Sequence, residues 1–344
     1  MTKLSVVILN FNGEKLLRQF LPSVIRYSAE AEIVVADNGS TDRSLEVLQQ
    51  EFPQVRLIRL DQNYGFCGGY NRALRQIEAQ YYLLLNSDVE VTHGWLAPML
   101  EIMDRDSAVA AVQPKILSHA DKNKFEYAGA AGGYIDALGY PFCRGRIFDK
   151  VEEDNGQYND EREIFWSTGA CFMIRAQIYH QFNGLDEELF AHMEEIDLCW
   201  KIARIPQKVC YTGRSVVYHL GAGTLGYKSP MKTYLNFRNG LILIFKHLDA
   251  GELIYKLPLR VGLDWVAALM FLLKGEPANA KSVFRAHYHF LRDIGRHRRK
   301  RADLHRAHPS YSRKNVYTGL VILDYYFRSR KHFRSIIPDG TTLS

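Results

Sequence analysis

The first hundred residues alternate between two hydrophobic periods. Near-continuous apolar runs cover residues 4–9, 32–36, 55–60 and 81–85, and such runs are typical of strands buried on both faces of a sheet. Between them, apolar residues recur at helical spacing over 14–27, 41–51 and 66–80. This alternation with short connections predicts βαβ units, and therefore the α/β class with a mostly parallel central sheet flanked by helices.

Polar side chains follow three of these predicted strands at the point where each strand ends. The polar residues are Asn10 and Asn12 after the first strand, with Phe11 between them, Asp37 after the second, and Asn86, Ser87 and Asp88 after the fourth. In open parallel sheets, ligands bind beyond the carboxyl ends of the strands. We therefore expect these groups to converge on one crevice, although each segment alone could be an ordinary turn with side-chain hydrogen bonds.

The pattern becomes mixed after residue 107. Residues 125–160 are rich in Gly, Tyr and Asp and are predicted to be loops, whereas 165–175 and 209–220 have strand character. A short helix is predicted at 178–182 and a single longer helix at 187–203. After Pro230 the chain is predicted to be helical to its end.

Composition and charge also bear on where in the cell the protein is located. The chain has 344 residues, 47% of them hydrophobic, and a net charge of +6. Five cysteines without a C-x-x-C pair favour a reducing compartment. We find no signal-peptide pattern and no uncharged window of about 20 residues, so the expected location is cytoplasmic, at the cytoplasmic face of the inner membrane if the protein touches a membrane.

Six segments in order make the sequence resemble glycosyltransferase family 2, in particular its bacterial rhamnosyltransferase-like branch. They are SVVILNFNG, VVADNGSTD, NYGFCGGYNRAL, LLLNSDVEV, STGACFMIR and HMEEIDLCW. The resemblance covers residues 4–224. It implies the GT-A fold, with a Rossmann-like central sheet, and an inverting, metal-dependent transfer from a nucleotide-sugar donor.

The resemblance places a metal ion at Asp88, the last residue of a segment in which related proteins carry Asp-x-Asp. Asn86 replaces the first acid here, so Asn86 and Ser87 are expected to touch the ribose or diphosphate without contributing charge. A hard carboxylate oxygen suits Mg²⁺ or Mn²⁺, which would neutralise the leaving diphosphate. His219, at the end of the strand predicted over 209–220, is expected to ligate the metal or touch the diphosphate, although a lone histidine at a strand end is more often structural.

The remaining donor contacts implied by the resemblance lie on the first three strand ends and the third helix. Asp37 would accept the N3–H of a uracil or thymine, with Asn10, Phe11 and Asn12 completing the base pocket. Gly65, in a glycine-rich segment before a helix, would let the backbone approach a phosphate. Arg72 would meet the diphosphate, and a solvated arginine is the alternative.

On the acceptor side, the resemblance implies that Glu195 is the general base. It would remove the proton of the acceptor hydroxyl. Related proteins have Asp there, so the neighbouring Glu194 remains an alternative base. Asp197 is expected to cap the helix or pair with a basic residue. Trp166, Thr168 and Gly169 match the acceptor-facing strand, where Trp166 could stack on a sugar ring or be an ordinary core residue.

The C-terminal third differs in character from the rest. We divide the chain into a GT-A transferase domain, residues 1–228, and a helical, basic region, residues 229–344. Nine Lys or Arg against two Asp fall between Arg292 and Lys314. Apolar helices followed by basic residues predict peripheral contact with an anionic membrane, or alternatively a solvated face or a contact in a homo-oligomer. The basic run lies at one end without interleaved aromatic residues, so no nucleic-acid partner is expected.

Taken together, these features predict transfer from a UDP- or dTDP-sugar to a saccharide or lipid-linked glycan acceptor in cell-surface polysaccharide synthesis. The alternative is a non-catalytic sugar-nucleotide-binding homologue of the same fold, which the Glu-for-Asp difference at residue 195 leaves open.

Overall fold

A computed structural model of the protein describes residues 2–126, 129–221, 229–338, 341 and 343. Within these residues, nine strands form the central sheet and short strands form a second sheet. The strands of the central sheet are β1 (Thr2–Asn10), β2 (Glu32–Asp37), β3 (Arg56–Arg59), β4 (Ala79–Asn86), β5 (Val89–Val91), β6 (Val109–Ser118), β11 (Glu161–Ile164), β12 (Cys171–Arg175) and β13 (Lys208–His219). Those of the second sheet are β7 (Gly133–Asp136), β8 (Pro141–Cys143), β9 (Arg146–Ile147), β10 (Lys150–Val151) and β14 (Val316–Tyr317).

Helices cover the central sheet and make up most of the C-terminal third. They are α1 (Glu14–Tyr27), α2 (Ser44–Glu51), α3 (Gly65–Leu74), α4 (Ala97–Arg105), α5 (Ala176–Gln181), α6 (Glu194–Ile202), α7 (Pro230–His247), α8 (Ala250–Leu273), α9 (Pro277–Arg292), α10 (Ile294–Ala307), α11 (Val321–Tyr326) and α12 (Phe333–Ile336). In the described part of the chain, no helix combines the length and apolar character needed to cross a membrane.

The central sheet has the order β11-β13-β6-β12-β4-β1-β2-β3, with β5 paired to β13. Strands β1 to β4 pair in parallel, as do β6 and β13, whereas β5, β11 and β12 are antiparallel to their neighbours. Alternate residues of β1 face opposite layers, as a buried central strand requires: Val6 packs in one core cluster with α1, and Val7 in the other with α3. The predicted α/β architecture is confirmed.

Registers within the parallel part bring the predicted strand ends together. Asn10 pairs with Asp37, and Leu9 pairs with Asn86. The crossover helices return each strand in the same direction, so the polar groups that follow these strands share one edge of the sheet.

Several predicted boundaries were wrong. Residues 125–160 contain the short strands of the second sheet rather than only loops, because strands of two to four residues are too short to show a period. Its last strand comes from Val316–Tyr317, in the part of the chain predicted to be helical. The third helix ends at Leu74, not at residue 80, since β4 already begins at Ala79.

The helix predicted over 187–203 is interrupted. A 3₁₀ turn at Glu187–Leu189 precedes α6, and between them Phe190, His192 and Met193 have positive φ angles of 65°, 67° and 71°. Left-handed backbone costs roughly 1–3 kcal/mol for each non-glycine residue and persists only where the surroundings enforce it. This break matters because it leads directly into Glu194 and Glu195.

Candidate functional site

The base-binding corner predicted around Asp37 is tightly organised. Asn10 Nδ2 donates to Asp37 Oδ1 over 3.0 Å, and the Ser40 backbone N–H donates to Asp37 Oδ2, also over 3.0 Å. Asp37 is 1% exposed. Each carboxylate oxygen thus already accepts one protein hydrogen bond and retains a further lone pair for a ligand. Ser40 carries no distinctive sequence signal for this role.

Asn12 links the first two strand ends rather than projecting a free carbonyl oxygen into the crevice. Its Oδ1 accepts from the Thr41 backbone N–H over 2.8 Å, and its own N–H donates to Ser40 Oγ over 2.9 Å. The φ angle of Asn12 is +51°, a conformation that asparagine tolerates better than most residues. Phe11, beside it, is 37% exposed, so its ring is accessible to a ligand.

Asp42 binds the N-termini of two helices. Its two carboxylate oxygens accept from the backbone N–H groups of Glu14 and Ser44, the first residues of α1 and α2. Helix α2 begins at Ser44 and not near Thr41 for this reason.

Gly65 is required by its surroundings. Its φ angle is +70°, and a Cβ there would lie 2.7 Å from the ring of Phe190. Asn38 Nδ2 donates to Gly65 O over 3.0 Å, which fixes the start of α3 beside the second strand end. Phe190 itself is 51% exposed, so an aromatic ring borders the glycine-rich segment.

Arg72 is engaged within the protein. Its guanidinium pairs with Glu187 over 3.1 Å and lies 3.6 Å from the centroid of the Tyr64 ring. A diphosphate contact would therefore compete with an existing ion pair, and the structure gives Arg72 a role in holding the 3₁₀ turn against α3.

Asp88 and His219 are brought together, as the prediction of a shared metal site requires. His219 Nε2 lies 3.1 Å from Asp88 Oδ1, and both side chains are buried. On the other side of the imidazole, Nδ1 lies 3.4 Å from Glu126 Oε2. Glu126 follows the end of β6 in a segment without periodicity, and nothing in the sequence singles it out.

The close contacts of His219 with Asp88 and Glu126 shift the pKa values of Asp88 and His219. Burial alone would raise the pKa of Asp88, but the hydrogen bond and charge of His219 hold it below its usual value. Burial would likewise lower the pKa of His219, but the two carboxylates raise it to about 10. Without a cation, His219 is therefore a protonated bridge between Asp88 and Glu126.

The donor set fits one divalent cation with incomplete protein ligation. Asp88 and His219 Nε2 adjoin each other, whereas Glu126 faces the opposite ring nitrogen and cannot reach the same ion. Accordingly, no group of three or more His, Cys, Asp or Glu side chains in the described ranges is arranged to hold a metal. The carboxylate suits Mn²⁺ or Mg²⁺ when substrate phosphates and water fill the other positions, and the imidazole favours Mn²⁺ of the two.

Asn86 and Ser87 lie between the base corner and Asp88. Both are half-buried, and the Asn86 backbone N–H donates to Ala170 O over 3.0 Å. That bond joins the end of β4 to the loop that precedes β12, which is the segment predicted to face the acceptor.

Glu194 and Glu195 occupy the first turn of α6, next to this loop. A Cβ at Gly169 would lie 3.8 Å from Glu194 Oε1 and 3.9 Å from Glu195 Cδ. Among the described residues, neither Glu194 Oε2 nor Glu195 Oε2 has a hydrogen-bond partner. Buried carboxylate oxygens without partners are uncommon and point to a ligand or a functional role.

The two glutamates differ in their ionisation. Burial, together with the charge of Glu195, raises the pKa of Glu194 well above its usual value. Burial raises the pKa of Glu195 to about 7, opposed by backbone N–H groups that include that of Gly169. Glu195 is also half-buried, whereas Glu194 is buried. Of the two, Glu195 is therefore the group more readily present as a carboxylate near neutral pH.

The structure gives Trp166 and Thr168 core positions instead of accessible ones. Trp166 is 5% exposed, its indole N–H donates to Tyr134 O over 2.8 Å, and its ring packs directly on Gly133. It therefore offers no free face to a sugar. Thr168 is 2% exposed and its N–H donates to Gln113 Oε1. Only Gly169 of the three borders the glutamates.

Two neighbours on α7 hold the break before α6. Asn239 is fully buried, and its Nδ2 donates to the backbone oxygens of Leu189, Ala191 and His192 over 2.7–3.0 Å. Arg238 Nη2 donates to Glu188 O over 2.9 Å. Both lie in the segment YLNFRNG, for which sequence alone gives no role. These bonds explain the left-handed residues that aim Glu194 and Glu195.

Asp197 pairs with basic residues, which confirms the expectation. It is fully buried, its carboxylate lies 2.8 Å from Lys246 Nζ and 2.9 Å from Lys201 Nζ, and His247 Nε2 contacts it over 2.8 Å. Lys246 also pairs with Asp186 over 2.9 Å. This network anchors α6 to α7.

A separate cavity of about 400 Å³ lies between the second sheet and α8. None of the predicted site residues lines it. Its walls include Trp200, Lys256 and Tyr311, so this cavity is separate from the candidate site.

Comparison with known proteins decides the family. The family model of Glycosyl transferase family 2 matches residues 5–182, which is more than half of the chain. The chain belongs to glycosyltransferase family 2. The matched residues contain the strand ends at Asn10, Asp37 and Asp88, whereas Glu195 and His219 lie beyond them.

One relative and two solved structures add detail. The N-acetylglucosaminyl-diphospho-decaprenol L-rhamnosyltransferase of Mycobacterium tuberculosis is 26% identical over 242 residues, covering 65% of this chain and 78% of that protein. Staphylococcus aureus TarS 1–349, solved with UDP-GlcNAc, has a TM-score of 0.56 at 16% identity and covers 99% of both chains. GalNAc-T7, solved with UDP, GalNAc and Mn²⁺, has a TM-score of 0.55 at 18% identity.

These comparisons establish the family and the fold. The match to GalNAc-T7 covers 72% of this chain but 48% of that one, so this chain spans about half of it. At such identities the solved structures show the GT-A fold alone. The prediction of a rhamnosyltransferase-like member of glycosyltransferase family 2 with this fold is confirmed.

Proposed function

We propose that this family 2 enzyme is an inverting, metal-dependent transferase that moves a sugar from a UDP- or dTDP-sugar to a saccharide or lipid-linked glycan. The main support for this proposal is that the strand end assigned to the donor directly adjoins the residues assigned to the acceptor. Asn86, at the end of β4, is bonded to Ala170, and the adjacent Gly169 borders Glu195, whose Cδ would lie 3.9 Å from a Cβ at Gly169. A base with a pKa of about 7 thus sits next to the strand end that leads to Asp88.

On the donor side, the base would lie against Asp37 and Phe11, and the diphosphate against the α3 N-terminus and Asp88. Asp88 and His219 would hold the cation, which supplies neutralisation of the leaving diphosphate when bound. Since His219 shares its Nε2 proton with Asp88, that nitrogen must release the proton before it can serve as a ligand. Support for Mn²⁺ comes from the fit of this donor set and from the Mn²⁺ in GalNAc-T7.

On the acceptor side, Glu195 would accept the hydroxyl proton as the hydroxyl oxygen attacks the anomeric carbon. The C–O bond to the diphosphate breaks as the new glycosidic bond forms, and the proton ends on the Glu195 carboxylate. Glu194, held neutral, would donate a hydrogen bond and not act as a base. This division of roles follows from their different burial.

The acceptor is proposed to be lipid-linked because the mycobacterial relative is named for a diphospho-decaprenol substrate. We keep residues 1–228 as the transferase domain and 229–344 as a helical region that supports it through Asn239 and Lys246. The proposed location is the cytoplasmic face of the inner membrane.

Donor binding by calorimetry tests the metal and donor assignments. UDP- and dTDP-sugars should bind in the presence of Mn²⁺, and both EDTA and Asp88→Asn should weaken binding at least about tenfold, because loss of even outer-sphere groups costs 10–100-fold in metal affinity. Asp303→Asn, an exposed position on α10, is the matched control and should bind like wild type.

Binding that neither EDTA nor Asp88→Asn changes would remove the metal from this site. Failure of both donors to bind would overturn the pyrimidine assignment. Binding without any transfer would identify the chain as the non-catalytic homologue.

A further inference from the structure

Helix α8 has its polar residues inside and its apolar residues outside. Arg260 and Asp264 are 3% and 1% exposed, whereas Leu273, Trp265 and Leu269 are 79%, 56% and 55% exposed. A helix on the surface of a globular protein normally shows the reverse arrangement. The inversion therefore needs an explanation.

The buried side of α8 is explained by contacts within the chain. Arg260 Nε donates to Asp264 Oδ1 over 3.1 Å, and the guanidinium lies 3.5 Å from the centroid of the Tyr140 ring. Asp264 Oδ2 lies 3.1 Å from His287 Nε2 on α9. The polar groups of α8 thus attach it to the second sheet and to α9, and this leaves the apolar side without a partner among the residues that the structure describes.

Helix α9 extends the apolar side. Trp265 Nε1 donates to His287 Nδ1, and beside this contact α9 exposes Phe284, Tyr288 and Leu291. We call the combined surface the α8–α9 face. Its exposed apolar residues are Ile254, Tyr255, Leu259, Trp265, Val266, Leu269, Leu272, Leu273, Phe284, Tyr288 and Leu291. Contiguous exposed apolar surface of this kind marks a site for a partner or a membrane.

Basic residues border this face. On α9, Lys281, Arg285 and Arg292 are exposed along the side next to the apolar residues. From Lys274 to Arg306, a stretch that the structure describes throughout, eight exposed Lys or Arg accompany a single exposed carboxylate, Asp303. No carboxylate on α8 or α9 is exposed.

The basic run at 296–301 contributes less than its sequence suggests. Lys300 pairs with Asp186 and Glu188, and Arg301 Nη1 donates to the backbone oxygen of Leu248 over 2.6 Å. His297 is buried. Arg298 and Arg299 are exposed, so part of this run joins the basic border and the rest fixes α10 to the chain.

We propose that the α8–α9 face docks on the surface of an anionic lipid bilayer. Apolar and aromatic side chains enter the interface while the basic border meets the lipid headgroups, the pattern of an in-plane amphipathic anchor. A second copy of this chain fits less well, since pairing through the same face brings like-charged borders together. If the acceptor is lipid-linked, which rests on the proposed function, this docking delivers the enzyme to it.

Trp265 provides a direct readout. Of the four tryptophans, Trp95, Trp166 and Trp200 are at most 5% exposed, so changes in emission at the surface report Trp265. With full-length protein and vesicles of phosphatidylcholine plus phosphatidylglycerol, we expect co-sedimentation, a blue shift and quenching by brominated lipid. Phosphatidylcholine alone should bind at least about tenfold more weakly.

Matched variants locate the contact. Leu269→Asp/Leu273→Asp should weaken vesicle binding at least about tenfold, because each leucine loses a transfer free energy worth about that factor or more. Phe327→Asp, equally exposed at 79% but outside the face, should bind like wild type. Lys281→Glu/Arg292→Glu should weaken binding to anionic vesicles only.

Absence of lipid quenching, or equal binding by the leucine variant and wild type, would overturn the proposal. So would a lipid-free dimer that Leu269→Asp/Leu273→Asp converts to monomers, which would assign the face to a second copy. Vesicle binding requires no sugar donor, so its outcome is separate from that of the transferase proposal.

Discussion

Glu195→Gln is expected to lower kcat by about 10²- to 10⁴-fold while donor affinity stays near the wild-type value. Glutamine keeps the size of the side chain and its contact with the Gly169 N–H but cannot accept a proton. Initial-rate kinetics with the transfer assay, together with donor calorimetry, provide the two values. A raised KM with an unchanged kcat would contradict the role of Glu195 as base.

Glu194→Gln is the matched control on the neighbouring residue. Because burial and the charge of Glu195 raise the pKa of Glu194 and so favour its neutral form, which glutamine resembles, the loss in kcat should be below about tenfold. A larger loss for Glu194→Gln than for Glu195→Gln would exchange the two roles.

The pH profile follows from the same pair. A base works only when deprotonated, so kcat/KM of the wild type should fall as pH drops below about 7, the raised pKa of Glu195. This fall of kcat/KM at low pH should be absent from the residual activity of Glu195→Gln and present in the activity of Glu194→Gln.

Lys246→Met is expected to lower the free energy of unfolding by about 3–5 kcal/mol. Lys246 is 5% exposed and lies between Asp186 and Asp197, so its removal leaves buried carboxylates with less compensation. These contacts raise the pKa of Lys246 and lower that of Asp197 against the effect of burial. Chemical denaturation monitored by circular dichroism gives the value.

Lys300→Met is the control for this measurement. Lys300 also pairs with Asp186, but its side chain is 33% exposed, so the loss should be about 1 kcal/mol or less. Carboxylates with lowered pKa stabilise the fold above about pH 4, and this contribution is lost as the pH falls below that value. The difference between Lys246→Met and wild type should therefore shrink in acid, and a difference under 1 kcal/mol at pH 7 would contradict the role of Lys246.

The donor edge was predictable because βαβ units place strand ends in a fixed relation. Once β1, β2 and β4 are recognised, Asn10, Asp37 and Asn86 must share an edge of the sheet. The structure also places Glu195 beside Gly169, and both residues lie in segments recognisable by resemblance.

The acceptor edge was less predictable because long-range contacts determine it. The break before α6 is enforced by Asn239, which lies 47 residues beyond His192 and bonds its backbone. As an aromatic residue in the segment predicted to face the acceptor, Trp166 was a candidate for stacking on a sugar ring. Its burial depends on close packing against Gly133, which sequence alone does not show. Periodicity alone also could not show that the apolar side of α8 faces outward, because that orientation is set by Arg260, Asp264 and Tyr140.

The anomeric configuration of the transferred sugar, determined by NMR of the product, tests the central claim most directly. Direct attack by an acceptor hydroxyl with Glu195 as base requires inversion relative to the nucleotide-sugar donor, and that is the result we predict. A product with retained configuration would contradict the proposed single displacement and the assignment of Glu195.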